Sequence, residues 1–408
     1  MMNYSEINPS QRLLMCPGPV GADPRVLRVM TTPIIGQFDP EFTAIMTETM
    51  AMARQVFQTA NEQTYVVDTT SRGGIEALLS SAICPGDKVL IPAYGRFGYL
   101  LQEILTRCGA EITLLEREWG TVFTPEEIED ALKKKSYKAV CIIHGETSTS
   151  MMQPLDEIGK LCKRYGALLL VDTVATLGGA EVKVDEWQID GCVAGTQKCI
   201  SAPSGSALIT YNKAIEDIAA QRKHVEAGIR STDDVDGDLP VIPSNYLDLA
   251  QLKDYWSPRR LNHHTEATSM QYAVHEALRC ILTEGLEARF ARHKLNDAAL
   301  TAGLRAMGLT IFGDLAHKMP CVTAICIPEG MDGKRIRADL LNNFGIEIAT
   351  SFGPLDGKVF RIGNMGYSSQ KQNILMLLAA LEAVLHQHGF KMPLGDGVSA
   401  ALRVYEHR

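Results

Sequence analysis

The sequence predicts an α/β protein with a large, mostly parallel sheet domain and a smaller α+β domain near the C-terminus. Short apolar runs alternate with helical segments between positions 65 and 210, which is typical of βαβ units. The run at 167–171 has no polar interruption, as expected for a strand buried on both faces. A chain of 408 residues exceeds one ordinary core, so we expect two domains.

Taken in order, the chain begins with an extended arm at 1–20, because proline and glycine crowd its end (CPGPV). We expect the large domain at 21–275 and the small domain at 276–408. The predicted strands of the two domains are 65–67, 88–91, 111–115, 139–143, 167–171, 192–195, 206–210, 309–312, 322–327, 346–349 and 359–362. The predicted helices are 24–30, 41–57, 75–82, a helix ending at 108, 125–134, 155–165, 213–230, 269–304, 333–343 and 369–387.

The composition excludes several classes of protein. The net charge is −8 and the hydrophobic content 46%, so we expect a soluble protein with neither nucleic acid nor a membrane as partner. The N-terminus lacks the basic and apolar regions of a secretory signal. Ten scattered cysteines without a CxxC pair predict free thiols in the cytoplasm. His263 and His264 have no third ligand at a suitable spacing, so no metal is predicted.

Two strand ends carry the first chemical signal. Asp172 closes the buried run at 167–171, and Lys198 follows the run at 192–195. Open α/β sheets bind ligands at the carboxyl ends of their strands. A lysine amine and a carboxylate at this edge suit pyridoxal phosphate: the lysine forms a Schiff base, and the carboxylate pairs with the protonated pyridine nitrogen. From these residues alone, a helix-capping aspartate and a surface lysine explain the pattern equally well.

Two further turns fit the same cofactor. Thr70, Ser71 and Arg72 lie between a strand and a helix, where free backbone amides and hydroxyl groups bind phosphate. Phe97 lies between glycines just past a strand, where an aromatic side chain stacks on a planar ring. The alternatives are an ordinary helix cap and an ordinary core aromatic.

Together these motifs resemble one family over nearly the whole chain. They are HGETSTSMMQPLDEIGKLCKRYGALLLVDTVATLGG at 144–179, GTQKCISAPSG at 195–205, NHHT at 262–265 and GKVFRIGNMG at 357–366. The sequence resembles the class V, fold-type I pyridoxal-phosphate aminotransferases, specifically the alanine/serine–glyoxylate group. The resemblance implies transamination with glyoxylate as acceptor.

The resemblance also implies roles for single residues. Lys198 is the Schiff-base lysine and Asp172 the partner of the pyridine nitrogen, while Arg361 binds the substrate carboxylate. Thr265 reaches the phosphate of the neighbouring subunit, so a homodimer with composite sites is implied. The remaining implied cofactor contacts are Val174 and Phe97 on the ring faces, Thr147 at the phenolic oxygen, and Thr70, Ser71, Arg72 and Gln197 at the phosphate.

Gln37 and Asn262 separate the possible amino donors. Relatives that act on alanine resemble one another in having a small residue at position 37 and a tyrosine at position 262. With glutamine and asparagine at these positions, this chain is similar to the ureidoglycine–glyoxylate group of purine breakdown. A ureido group has N–H donors and a carbonyl acceptor, and side-chain amides match both. Alanine or serine as donor is the alternative. Cysteine desulfuration on the same fold needs a cysteine on a mobile loop, and Cys321 and Cys326 lie in a strand-like run instead.

Overall fold

The computed structural model describes residues 4–406, so the first residues of the predicted arm and the last two of the predicted small domain lie outside the described residues. The strands are β1 (Leu13–Leu14), β2 (Gln63–Val67), β3 (Lys88–Ala93), β4 (Glu111–Glu116), β5 (Ala139–Ile143), β6 (Gly145–Glu146), β7 (Met151–Met152), β8 (Leu168–Asp172), β9 (Gly191–Gly195), β10 (Ala207–Tyr211), β11 (Val322–Cys326), β12 (Ile346–Glu347), β13 (Ala349–Thr350) and β14 (Val359–Gly363).

The helices alternate with these strands through most of the chain. They are α1 (Pro24–Val29), α2 (Pro40–Phe57), α3 (Ser71–Ala82), α4 (Arg96–Arg107), α5 (Pro125–Lys134), α6 (Asp156–Arg164), α7 (Lys213–Gln221), α8 (Leu249–Trp256), α9 (Thr268–Glu284), α10 (Leu286–Ala306), α11 (Gly333–Phe344), α12 (Lys371–Gln387) and α13 (Asp396–Glu406). In the described part of the chain, no helix has the length and hydrophobicity that a membrane crossing requires.

The large sheet has seven strands in the order β2-β10-β9-β8-β5-β3-β4. β10 runs antiparallel to both of its neighbours, and every other pair is parallel. Asp172 is level with Ile143 on one side and Val193 on the other, so β5, β8 and β9 end at one edge. The predicted mostly parallel α/β sheet is therefore confirmed, and its topology brings Asp172 close to the segment that carries Lys198.

A smaller sheet, β11-β14-β13, belongs to the C-terminal part of the chain. β14 is its central strand and pairs antiparallel with both neighbours, which places Arg361 level with Ala324 and Ala349. β1 adds a parallel strand to β12, with Leu13 opposite Ile346. The end of the predicted N-terminal arm is thus paired with the C-terminal part of its own chain.

Two apolar cores follow the two sheets. The large core extends along the chain to Ile281, and the smaller one resumes at Ala299 and also contains Met15 from the arm. The junction between α9 and α10 lies between them. The predicted division of the chain into 1–20, 21–275 and 276–408 stays a prediction, which this separation of the cores supports.

Some predicted elements were wrong in extent. The helix at 213–230 ends at Gln221, because the next residue, Arg222, turns inward and donates to the carbonyls of Ser80, Ser81 and Ile83. The predicted helix at 269–304 is two helices, since Gly285 has a φ of 85° that a helix does not allow. The strand predicted at 309–312 is reduced to a single bridge between Ile311 and Ile325.

Candidate active site

One pocket at the carboxyl edge of the large sheet collects the residues predicted to hold the cofactor. β2, β3, β5, β8 and β9 all end close to it. Nine of the predicted residues line it: Thr70, Ser71, Arg72, Phe97, Thr147, Asp172, Val174, Gln197 and Lys198. The residues come from separate parts of the sequence, and the parallel sheet topology unites them. Their individual roles toward a ligand remain the roles implied by resemblance.

Asp172 is a buried carboxylate at the floor of this pocket. Its side chain accepts the N–H of Val174 at 2.8 Å. Burial raises the pKa of Asp172 to about 7, and the nearby Glu146 carboxylate acts in the same direction, while the Val174 N–H and the Lys198 ammonium lower it. A buried carboxylate of this kind is stabilised by a cation. The protonated ring nitrogen of pyridoxal phosphate meets that need, so the site fits the cofactor on this point.

Lys198 is the amine of the pocket. Burial and the neighbouring Arg361 charge together lower the pKa of Lys198 to about 8. A lysine with a lowered pKa is a better nucleophile near neutral pH. Its Nζ donates to the carbonyl of Pro17 in the N-terminal arm. Gly18 follows with a φ of 112°, and a Cβ there would lie 2.5 Å from that Nζ, so the arm approaches the lysine because position 18 is glycine.

The N-terminus of α3 forms the predicted phosphate cradle. Thr70 is the N-cap residue, and its side chain makes no capping hydrogen bond, so the first amides of α3 stay available to an anion. Ser71 and Gln197 hydrogen-bond each other, with Gln197 Nε2 2.7 Å from Ser71 Oγ. This contact joins the start of α3 to the lysine segment. α3 begins at Ser71 rather than at the predicted position 75, which places these hydroxyl groups in its first turn.

Phe97 and Val174, the residues predicted for the two faces of the cofactor ring, both line the pocket. The backbone N–H of Phe97 donates to Glu146 Oε2 at 2.8 Å. The other Glu146 oxygen accepts from the backbone and the hydroxyl of Ser148. Glu146 is fully buried and fixes the position of Phe97, a role that the sequence analysis missed. Its presence in the segment 144–149, within the longest matched motif, was the signal that pointed to it.

Arg361 lies on β14, the central strand of the smaller sheet. Its side chain is buried, donates to the carbonyls of Thr350 at 2.7 Å and Thr147 at 2.9 Å, and lies 4.8 Å from the ring centre of Phe352. Burial lowers the pKa of Arg361 to about 10, so the guanidinium stays charged at neutral pH. The contact with Thr147 places this charge beside the pocket, where the predicted carboxylate binding is possible.

Gln37, Asn262 and Thr265 lie elsewhere. Gln37 Nε2 donates to Asn262 Oδ1 at 3.2 Å and to the carbonyl of His264 at 2.9 Å, and Gln37 Oε1 accepts from Glu266 N at 2.8 Å. Asn262 and Thr265 are exposed. The structure therefore brings the two predicted specificity residues together, next to Thr265, but away from the pocket of their own chain.

The cysteines fit the predictions made for them. All ten are free thiols. Cys326 ends β11 and Cys321 directly precedes it, buried in the smaller apolar cluster around Val322. Neither lies on a loop above the pocket, which is the position that cysteine desulfuration requires.

Comparison with known proteins agrees with this site. The Aminotransferase class-V family model matches residues 33–357. The chain is 57% identical to the (S)-ureidoglycine–glyoxylate transaminase of Bacillus subtilis, over all of this chain and 98% of that protein. It is 35% identical to the rat alanine–glyoxylate aminotransferase, over 93% of this chain and 88% of that protein.

Solved structures give the same result. The ureidoglycine–glyoxylate aminotransferase from Bacillus subtilis superposes with a TM-score of 0.93 at 56% identity, covering 98% of this chain and all of that one. A cysteine desulfurase from Thermococcus onnurineus shares the fold alone, with a TM-score of 0.70 at 16% identity, covering 92% of this chain and 95% of that one. The chain therefore belongs to the class-V aminotransferases, enzymes of fold type I that depend on pyridoxal phosphate.

Proposed function

We propose that the chain transfers the amino group of (S)-ureidoglycine to glyoxylate, yielding glycine, in the cytoplasmic breakdown of purines. The full-length identity of 57% to the Bacillus subtilis transaminase carries this proposal. The alanine–glyoxylate aminotransferases of marmoset, rat and fruit fly are only 32–35% identical to this chain. Ten free thiols support the cytoplasmic location.

Pyridoxal phosphate would lie in the pocket between Asp172 and Lys198. When bound, the cofactor accepts the electron pair released at the substrate's α-carbon. Lys198, with its lowered pKa, would move the proton at that carbon. Asp172 would hold the ring nitrogen charged, while the start of α3 and Gln197 hold the phosphate. Arg361 would orient the substrate by its carboxylate, leaving the rest of the donor to contact other groups.

The assembly we propose is a homodimer with composite sites. Gln37, Asn262 and Thr265 lie on one hydrogen-bonded surface segment that does not line the pocket of its own chain. Phe38, directly beside Gln37, has 56% of its surface exposed and Ile34 73%. Exposed apolar side chains of this kind are typical of a contact surface. A second copy covering them would bring the segment to the partner's pocket.

Within that segment the two amides would have different tasks. Gln37 uses its oxygen on Glu266 N and its nitrogen on His264 O, so its orientation is fixed from both ends. It then also donates to Asn262 Oδ1, which turns the Asn262 Nδ2 group away from it. We therefore propose that Asn262 donates to the ureido carbonyl of the substrate and that Gln37 orients Asn262.

A donor screen with glyoxylate as acceptor tests the proposal. Purified protein is loaded with pyridoxal phosphate and given fresh (S)-ureidoglycine, alanine or serine, and glycine formation is followed. We expect the highest kcat/KM with ureidoglycine. Asn262→Ala should lower that value selectively, whereas Arg361→Ala should lower it for every donor. A higher kcat/KM with alanine or serine in the wild-type protein would reject ureidoglycine as the donor.

A further inference from the structure

Three ligand-type side chains meet behind the segment that carries Thr265. Asp68 follows β2, and His264 and Glu266 precede α9. His264 Nε2 lies 3.5 Å from Asp68 Oδ2 and 3.6 Å from Glu266 Oε2. The side chains are only 7%, 11% and 1% exposed, in the order Asp68, His264, Glu266. Glu266 lies two residues after the histidine pair in the sequence, and the fold adds Asp68 from the end of β2.

The two ring nitrogens of His264 face different partners. Nδ1 lies 2.8 Å from His263 Nδ1, and the other ring nitrogen of His263 lies 3.4 Å from the carbonyl of Asn245, to which it donates. The hydrogen bond between the two histidines therefore occupies His264 Nδ1. His264 Nε2 is left to face the carboxyl groups of Asp68 and Glu266.

Several polar atoms of this cluster are buried and have no hydrogen-bond partner. They include His264 Nε2, Glu266 Oε2 and Gln271 Oε1. Each of these atoms is shielded from solvent, so water does not compensate them. His264 Nε2 and the carboxyl groups of Asp68 and Glu266 are ligand atoms that face one another out of contact with water. A cation between them would pair with all three at once.

We propose that Asp68, His264 and Glu266 bind a divalent transition-metal ion of the zinc type. Zinc bonds to nitrogen and oxygen of roughly 2.1 Å in a tetrahedron place ligand atoms about 3.4 Å apart, close to the two separations of this cluster. Zinc-bound histidine donates its other ring N–H to a partner, and His263 Nδ1, 2.8 Å from His264 Nδ1, is placed to accept that bond. Water would complete the coordination.

A second cluster of ligand-type side chains differs from the first because its histidine nitrogens both have hydrogen-bond partners. Cys199, His293 and Cys321 also converge, and all three are buried. Here the carbonyl of Arg289 accepts from His293 Nδ1, and His293 Nε2 accepts from Gly366 N, so both ring nitrogens are used. Arg289 donates to the Cys199 carbonyl and adds a positive charge beside the thiols. The Cys199 cluster is complete without a metal.

The proposed metal would have a structural task. Asp68 comes directly before the turn that begins the phosphate cradle, and its carboxylate also accepts from Ala267 N. His264 and Glu266 flank Thr265, and Gln37 bonds the backbone of both. The ion would tie the cradle of one site to the segment that, in the proposed dimer, serves the other site.

Metal content tests this directly, with no assay of transamination. Tag-free holoenzyme is treated with a chelator, dialysed against zinc and analysed by mass spectrometry. We expect about one zinc ion per chain. His264→Gln and Asp68→Asn should each lose it. His317→Gln is the matched control, because His317 pairs with Asp314 on the surface without a buried third ligand, and it should keep the full zinc content.

Cobalt substitution covers the case in which a variant does not fold. Wild-type protein that takes up cobalt in this site should show the visible absorption bands of a tetrahedral ion with nitrogen and oxygen ligands, and zinc should displace them. The proposal is overturned if the wild-type protein shows neither zinc retention nor these bands. Equal zinc content in wild type and a folded His264→Gln variant would also overturn it.

Discussion

The raised pKa of Asp172 should be measurable as a pH dependence of the stability of the cofactor-free protein. Burial raises the pKa of this carboxyl from 3.8 to about 7. The folded state therefore holds the proton more tightly than the unfolded chain does. The stabilising contribution of that proton is fully present below about pH 4 and is lost as the pH rises through about 7. The perturbation we choose is Asp172→Asn, which keeps an oxygen for Val174 N and removes the charge.

The size of the effect follows from the two pKa values. A difference of this extent corresponds to roughly 4 kcal/mol of unfolding free energy between pH 4 and pH 8. Above pH 7 the cofactor-free Asn variant should be more stable than the cofactor-free wild type by up to that amount. Near pH 4 the two should be similar. Adding pyridoxal phosphate should remove much of the pH dependence of the wild type, because the ring nitrogen then neutralises the carboxylate.

Urea unfolding of both proteins at a series of pH values, with and without the cofactor, measures this. Asp190→Asn is the matched control. Burial also raises the pKa of Asp190, but its partners are Leu169 N and Asn212, away from the pocket. The effect of Asp190→Asn on the free energy of unfolding should therefore be the same with and without the cofactor. Parallel stability curves for wild type and Asp172→Asn across the whole pH range would refute the reasoning.

Three further predictions concern the same pocket. Borohydride reduction of the loaded protein should attach the cofactor to Lys198, found by peptide mapping; attachment to another lysine contradicts the site. Gly18→Ala should weaken cofactor retention by roughly 1–3 kcal/mol, because φ at Gly18 is 112° and the new Cβ would meet Lys198 Nζ. Gly36→Ala is the control, since Gly36 has open space around it and its substitution should not change cofactor retention. Asn262→Ala should lower kcat/KM for ureidoglycine by about tenfold to a hundredfold, and Gln37→Ala by less; equal losses with alanine as donor would exclude a role in donor choice.

Much of this site was predictable because parallel sheets obey a simple rule. Asp172 and the Lys198 segment each end a buried apolar run, and the carboxyl ends of such runs meet at one edge. The turn between β2 and α3 was predictable for a similar reason, since small hydroxyl residues and glycines follow a strand there, although α3 itself begins at Ser71 and not at the predicted position 75. In each case a local sequence pattern determines the strand or helix, and the topology of the sheet determines which residues lie next to it.

Other features depend on contacts between distant residues. The bond from Gln37 to Asn262 joins positions 225 apart, and Asp68 reaches His264 across a similar interval. Helix α7 stops early because Arg222 finds carbonyl partners in α3, which its own apolar periodicity does not reveal. The donation from Lys198 to Pro17 likewise depends on how the arm crosses the sheet edge. Such pairings arise from tertiary packing, so no local pattern announces them.

Arg222 binds the end of α3 that lies opposite the predicted phosphate cradle. Its guanidinium is 1% exposed and binds three carbonyls at the C-terminal end of α3, while the opposite end of the same helix faces the pocket. A cation there complements the negative end of the helix dipole. Twelve residues of helix place this anchor about 18 Å from the cradle. Arg222 thus helps to fix the position of α3 from the end that lies away from the pocket. Mutational scans for cofactor affinity that are confined to the pocket would overlook it.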